Sequence, residues 1–219
     1  MIPPLSTDHR RALRGLVLGV CAALFAAPSA RAGEPFEVPR PPQEHPPIIA
    51  GEARVDVVFP LARRPLCPRG SECVFGGGAG LGGVLEWRWP SGWGLGFGYD
   101  VWFLDGNGVH ELTTMQVLRL TFRHHFLLER QAHPWVGGAL GGLVFGDTFA
   151  ADAGGALLDV QAGLEVELTA SLVFTAGVLG RFFATSSFRT ASDGVERAER
   201  IGVNGALVLT AGLVLLPGL

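Results

Sequence analysis

Two cysteines have the most distinctive spacing of any reactive residues in the chain. Cys67 and Cys73 lie close together in a stretch that also contains Pro65 and Pro68. In an oxidising compartment two nearby exposed thiols form a disulfide, and we therefore predict a Cys67–Cys73 disulfide that closes one small loop. Two free thiols are the alternative. A zinc site is a weaker interpretation, because no histidine neighbours the pair to complete a set of ligands.

A glycine-rich motif occupies residues 78–83. Its spacing matches G-x-G-x-x-G, the fingerprint of dinucleotide-binding proteins, in which a strand precedes the motif and a helix follows it. Here the alternating residues of a strand follow the motif, so we expect neither a nucleotide nor any other cofactor to bind there. Glycines in the wall of a sheet have a simpler role, since they leave room for neighbouring side chains.

The histidines and hydroxyl residues are the remaining candidates for chemistry. A lipid-hydrolysing enzyme would need a serine nucleophile, a histidine base and a carboxylate, yet no histidine of this chain begins a His-x-Ser triplet. Alternation sends the adjacent His124 and His125 to opposite faces of a strand. His110 and Glu111 fall in an expected loop. We therefore predict no metal site and no enzyme, and an enzyme that joins His110 to the hydroxyls of residues 185–187 is the minor alternative.

The first 32 residues have the composition of an export signal. Three arginines within residues 10–14 precede an apolar run at 15–27, and Ala30 and Ala32 then provide the small residues that a signal peptidase recognises. The run is shorter than the roughly 18–20 residues that a membrane-spanning helix needs. We predict a signal peptide at 1–32 rather than an uncleaved anchor. A Pro-rich periplasmic leader follows at 33–52, and the folded domain covers 53–219.

Apolar residues alternate with small or polar ones through most of the folded domain. This period of two is typical of strands with two unlike faces. Most of the alternating segments have about the 9–11 residues that a tilted membrane strand needs. The eight predicted strands are Arg54–Phe59, Gly80–Trp89, Trp93–Phe103, Thr114–Phe126, Trp135–Phe145, Leu157–Leu168, Ser171–Phe183 and Ile201–Leu215.

Connections of alternating length separate these strands. Long loops follow the first, third, fifth and seventh strands and shorter turns follow the others, which is the pattern of outer-membrane barrels. A soluble β-sandwich is the alternative, but the continuous apolar face is too large to leave in water. Two aromatic girdles also favour a spanning barrel. Trp87, Trp89, Trp93 and Trp135 are expected at the short-turn ends, and Phe59, Phe103, Phe145 and Phe183 at the long-loop ends.

The Gly-aromatic strand at residues 94–99 and the Pro-aromatic-Val-Gly strand start at residues 134–137 resemble segments of known barrels. Over about residues 53–219 the chain is similar to the OmpA-like and OmpW-like porin-family transmembrane domains. The resemblance implies an all-β fold, an eight-stranded antiparallel up-and-down transmembrane β-barrel in the outer membrane of a Gram-negative cell. It also implies contact with outer-membrane lipid and insertion by the outer-membrane assembly machinery. Members of this family usually end on an aromatic residue, whereas this chain ends on Leu219.

The polar face of the predicted strands indicates a lumen filled by charged side chains. Eight strands leave an interior only about wide enough for side chains. A three-residue turn at 169–171 sets Asp159 opposite Arg181, and a turn at 90–92 sets Glu86 and Arg88 against glycines. Five arginines and six acids nearly balance, so we predict ion pairs that close the lumen. The predicted inward residues are Arg54, Asp56, Glu86, Arg88, Asp100, Arg119, Arg123, Asp159, Glu165, Glu167 and Arg181.

These observations together predict a membrane protein that presents its loops. The formal net charge of −3 gives no basic surface for nucleic acid. We predict an exported outer-membrane scaffold with a closed lumen, whose long loops face extracellular ligands. The loops include the one with Cys67 and Cys73 and the charged stretch at 189–200. A narrow channel for small solutes is the alternative function.

Overall fold

The computed structural model describes residues 47–198 and 202–216. The predicted signal peptide, the predicted leader as far as residue 46 and the last three residues lie outside the described part of the chain. Within the described part, no helix is long and apolar enough to cross a membrane.

Eight long strands form a closed antiparallel barrel, as the sequence predicts. Each strand pairs with its neighbour along the chain, and the first and last long strands pair to close the barrel. A separate two-stranded hairpin, β8 with β9, lies in the last long loop. The strands are β1 Ile48–Ala62, β2 Gly78–Arg88, β3 Trp93–Leu104, β4 Thr113–His125, β5 Ala132–Asp147, β6 Ala153–Thr169, β7 Leu172–Thr185, β8 Phe188–Arg189, β9 Glu196–Arg197 and β10 Asn204–Leu215.

The first strand begins earlier than the sequence predicts. β1 starts at Ile48, inside the range that was expected to be leader, and Ile48 pairs with Arg88 of β2. The prolines of the leader end at Pro47, and from Ile48 onward each residue up to Pro60 has an N–H group available for the sheet. The boundary at residue 52 is therefore too late, and the barrel includes the residues just before it.

The connection between β5 and β6 is shorter than predicted. The two strands stay paired as far as Phe145 with Ala153, which leaves only residues 148–152 between them. A long loop was expected there because the predicted strands end at Phe145 and begin again at Leu157. In the barrel Gly154 and Gly155 continue the ladder, and at Gly155 the carbonyl oxygen of Ala184 approaches too closely for a side chain.

The hairpin between β6 and β7 has the predicted register with a different turn. Asp159 lies opposite Arg181. The turn itself has two residues, since Thr169 pairs with Leu172, and a register shift between Glu167 and Thr169 accommodates the extra residue. Such a bulge restores the alternation that a two-residue turn would otherwise have reversed.

The outer face of the barrel is apolar. By the alternation of the described spanning strands, no Asp, Glu or Arg points outward from them. Large apolar side chains are instead about half exposed on this face. Examples are Val55, Leu81, Phe97, Leu120, Leu140, Val160 and Leu209. A surface of this kind is covered by hydrocarbon in a spanning barrel.

The aromatic girdles are only partly as predicted. Trp87, Trp89 and Trp93 are exposed near the short turns, and Phe59 is exposed near the long loops. Three of the predicted girdle residues instead point into the barrel and are buried, because they lie on the inward-facing positions of β5 and β7. They are Trp135, Phe145 and Phe183.

Candidate functional site in the barrel lumen

The lumen contains two main parts of opposite chemistry, and a small apolar cluster with Ala50, Val173 and Val214 lies beyond them at the short-turn end. The part toward the short turns, here called the charged layer, contains buried ionic side chains. The part toward the long loops, here called the apolar mouth, contains buried apolar side chains from strands and loops. The charged layer comprises Glu52, Arg54, Asp56, Glu86, Arg88, Asp100, Arg119, Arg123, His125, Asp159, Glu165 and Arg181.

Asp100 of β3 is the centre of the upper half of the charged layer, which is the half next to the apolar mouth. Three guanidinium groups from three different strands donate to its carboxylate. Arg54 Nη2 lies 2.8 Å from Asp100 Oδ1, while Arg119 Nε and Arg181 Nη2 lie 2.9 and 2.8 Å from Oδ2. Asp100 is fully buried. Charge-assisted hydrogen bonds of this kind are the strong ones, and a buried carboxylate depends on them.

Two further carboxylates complete the upper half. Arg181 donates two hydrogen bonds of 2.8 Å to Asp159. Asp56 accepts a hydrogen bond of 3.0 Å from the indole Nε1 of Trp102 and lies 3.2 Å from Arg54 Nε. The Arg181 guanidinium also lies 4.3 Å from the centre of the Trp102 ring. Three aspartates and three arginines therefore neutralise one another here.

The lower half of the charged layer, toward the short turns, is built on β1, β2, β4 and β6. Arg88 donates two hydrogen bonds to Glu165, of 2.7 and 2.8 Å, and its Nε lies 2.8 Å from Glu86. His125 lies between the same two carboxylates, with Nε2 3.1 Å from Glu86 and Nδ1 3.6 Å from Glu165. Arg123 pairs with Glu52 and lies 3.4 Å from Glu86.

One residue of the predicted lumen set lies elsewhere. Glu167 is about half exposed at the rim, where it contacts Nε2 of His133 at 3.0 Å. The bulge after Glu167 ends the regular alternation there. Glu52 takes its place in the layer, and the sequence interpretation missed Glu52 because it assigned that residue to the leader. Glu52 could have been found from the sequence, because it continues the alternation of Arg54 and Asp56 and so lies on the same face of the strand.

His125 is the second residue that the sequence interpretation missed. The sequence predicted only that it faces away from His124, and in the structure it faces the lumen between two glutamates. His124 points outward, as alternation predicts, and lies 4.2 Å from Trp93 between ring centres. The signal for His125 was its shared face with Arg119 and Arg123.

Glycines on the lumen face leave space for large inward side chains, both charged and aromatic. A side chain at Gly141 would meet Arg119 Cβ at 2.8 Å, and one at Gly163 would meet the Trp135 ring at 2.6 Å. Two glycines of the 78–83 motif have the same role, because Gly80 accommodates Trp102 and Gly82 accommodates Asp100. The motif therefore lies in a strand and contributes to lumen packing.

Loops fill the apolar mouth. Leu66, Val74 and Phe75 of the first long loop are fully buried among the strands. The Phe75 ring packs edge-on against Phe183, with 5.2 Å between centres. The predicted disulfide is confirmed: Cys67 and Cys73 are bonded, with 4.4 Å between their Cα atoms, and both pack against this apolar cluster.

Hydrogen bonds join the long loops into one cap. Arg197, which is buried, donates to Asp193 Oδ2 at 2.6 Å and to the carbonyl of Glu72 in the first loop at 3.0 Å. The hydrogen bond from Arg197 lowers the pKa of Asp193. Ser192 donates to the carbonyl of Val109 in the second loop at 2.6 Å. The first, second and last long loops therefore hold one another in place.

The partners of His110 are not the hydroxyls of residues 185–187. Its Nδ1 lies 3.1 Å from the hydroxyl of Thr113, and its Nε2 lies 3.8 Å from Asp152. Burial lowers the pKa of His110. In the described residues no serine hydroxyl hydrogen-bonds to this histidine, and Ser186 instead continues the strand ladder to Gly154. Nor do the described residues contain a cluster of three metal-ligating side chains.

No protein-family model matches the sequence, and no curated protein matches it. Solved structures do match. Neisserial surface protein A is similar over 76% of this chain and 96% of its own, with a TM-score of 0.55 and 13% identity. The fold is that of a small outer-membrane barrel. The N-terminal β-barrel domain of Pseudomonas aeruginosa OprF also matches, over 78% of this chain and 99% of its own, with a TM-score of 0.43 and 13% identity.

Proposed function

We propose that this chain is an outer-membrane scaffold with a closed lumen, which holds its long loops at the cell surface. The uncharged outer face and the closed ring of strands support a membrane location, since hydrocarbon covers such a face and closure leaves no unpaired sheet edge. The predicted export signal is consistent with this location. Insertion by the outer-membrane assembly machinery belongs to the same proposal.

The pairing in the charged layer is the observation that carries the proposal. Each of its five arginines lies within 4.0 Å of at least one carboxylate. A solute that crossed the barrel would have to break these pairs and then displace the apolar side chains of the mouth. The interior of an eight-stranded barrel is only about wide enough for its own side chains, so no space remains for a solute beside them.

The loop cap is the surface that a partner would meet. Its first loop exposes three basic side chains near the disulfide, Arg63, Arg64 and Arg69. Asp105, Glu111 and Asp152 are exposed on the neighbouring loops. A fixed arrangement of opposite charges suits a partner of complementary charge, and it favours specificity and association rate more than affinity. We therefore include extracellular ligands in the proposal.

A narrow channel is the second candidate, and one observation favours it. Neither amide atom of the buried Gln161 has a hydrogen-bond partner in the described residues, and the same holds for the Thr121 hydroxyl and for Nε and Nη2 of Arg123. Buried polar atoms of this kind are commonly hydrated. A file of water along this wall could carry a small current.

Planar-bilayer recording of the full chain tests the two candidates against each other. The scaffold proposal predicts no large, steady conductance. Replacing Arg123 and Arg181 together by alanine removes two large side chains from the lumen and should produce frequent openings. Replacing Arg69 and Arg189 by alanine removes the same charge from exposed loop positions and should leave the membrane silent. A large, steady current from the unaltered protein would contradict the scaffold proposal and support the channel.

An enzymatic role is the third and weakest candidate, and it has its own test. Hydrolysis of a lipid ester by the purified barrel, lost on His110→Ala, would support it. We do not propose this role, because the hydroxyl beside His110 belongs to the buried Thr113.

A further inference from the structure

An apolar groove crosses the outer face of the barrel and has no role in the lumen. Its volume is about 850 Å³, and it runs over β4, β5, β6, β7 and β10. Small residues form its floor, among them Gly138, Ala162 and Gly180. Trp93 and Phe122, stacked with 4.8 Å between ring centres, stand at one end, and Phe182 stands at the other.

The groove follows the rows of paired residues across the sheet. Phe122 pairs with Gly138, and Val160, the next residue along this row, pairs with Gly180. From β4 to β10 this path crosses four strand intervals, which is about 19 Å at the usual spacing between strands. Since barrel strands are tilted by about 45°, the path rises about 13 Å along the membrane normal, close to half of a hydrocarbon core about 30 Å thick. The groove therefore has the length and slope of one leaflet.

We propose that this groove binds one acyl chain of a phospholipid from the periplasmic leaflet. The end with Trp93 lies at the short-turn boundary, next to the turn at residues 89–92. Amphipathic aromatic rings concentrate at this depth, where the headgroup leaves the hydrocarbon. The acyl chain of the lipid would then extend over Gly138 and Ala162 toward Phe182.

Continuity with the lipid-facing surface identifies the occupant. The outward positions of the described spanning strands carry no Asp, Glu or Arg on either side of the groove, and the one histidine that lines it, His124, lies at the end with Trp93. An occupant must therefore be apolar along its whole length, and it must be narrow enough to lie between side-chain ridges. A flexible hydrocarbon chain meets both conditions. A second copy of the barrel would have to present a matching ridge, and it is an outcome of the test below.

Native mass spectrometry of the full chain tests the proposal. The protein is reconstituted with phosphatidylethanolamine and returned to detergent. The mass of the protein together with any bound lipid is then measured. We expect one retained phospholipid per barrel. The double variant Ala162→Leu, Gly180→Leu fills the groove, and a side chain at Gly180 meets only ordinary contacts of 3.7 and 3.9 Å. Because this removes room for at least two buried methylenes, retention should fall about tenfold.

The matched control places the same two substitutions outside the groove. Ala211→Leu and Gly83→Leu lie at outward positions of β10 and β2, and the nearest contact for a side chain at Gly83 is 3.4 Å. This control should retain lipid like the original protein. Ala162→Leu alone should give an intermediate loss, which keeps the test available if the double variant does not fold.

Three results would overturn the proposal. The first is no retained lipid on the original protein. The second is equal loss in the groove variant and its control, which would indicate general contact with surrounding lipid. The third is a lipid-free mass of two chains that the groove variant abolishes, which would identify a second copy as the occupant.

Discussion

The two halves of the lumen close the same barrel by different physics. In the charged layer, side chains from the strands form ion pairs across the interior. Because these charges are buried away from water, each one destabilises the barrel if its partner is removed. In the apolar mouth, loops supply much of the packing, and the disulfide and the bonds of Arg197 hold those loops in place. The charged layer therefore belongs to the barrel itself, whereas the mouth depends on loops that can be released separately.

The largest expected effect comes from removing the centre of the charged layer. Asp100→Ala leaves the three buried guanidiniums of Arg54, Arg119 and Arg181 facing one another, so it should destabilise the barrel by about 4 kcal/mol. The heat-shift of the protein on a gel, followed in increasing urea, measures this. Glu167→Ala, at the half-exposed rim, is the control and should have little effect. Equal stability of the two variants would show that the layer does not hold the barrel together.

Asp159→Ala should have a smaller effect than Asp100→Ala. It removes two hydrogen bonds from Arg181, which keeps its bond to Asp100. We expect a loss of about 3 kcal/mol, the lower end for a broken buried pair. The double variant Asp159→Leu, Arg181→Met replaces the pair by apolar residues of similar size and should recover most of the loss. Failure to recover would mean that filling the space is not enough and that charge is required there, including the hydrogen bond from Arg181 to Asp100 that the double variant also removes.

Opening the disulfide should affect the mouth and leave the charged layer intact. Replacing Cys67 and Cys73 by alanine lengthens the free loop, at a cost of about 2 kcal/mol for a loop this small. Protease should then cut near Arg63 and Arg69 at least several times faster, while the urea midpoint of the barrel changes little. A parallel fall in both quantities would contradict the separation of the two halves.

The smallest expected effect is a pH dependence of the loop cap. Burial lowers the pKa of His110 below its ordinary value, so the folded loop favours the neutral ring. The stability that this gives is complete above the ordinary histidine pKa near 6.5 and decreases as the pH falls below it, because the unfolded loop then binds the proton more readily. Limited proteolysis at pH 7 and pH 5 should show the change. His110→Gln should show no such pH dependence.

Much of the barrel could be predicted because strand alternation is a local property. Asp159 and Arg181 are found opposite each other because a short hairpin fixes their register, whichever turn joins the strands. The start of β1 was not predictable in this way. Ile48 becomes part of the sheet only because Arg88 of β2 is there to pair with it.

The sequence by itself determined the number of long strands, their two unlike faces and most of the charged residues that one face sends inward. It did so because a period of two assigns each side chain to a face without reference to any other strand. Only the tertiary structure decided which charges meet. The bond between Arg88 and Glu165 joins strands on different sides of the lumen, and it depends on how the closed barrel staggers its strands. The same closure places Phe75 and the disulfide loop in the mouth, since a loop packs wherever an apolar surface remains uncovered.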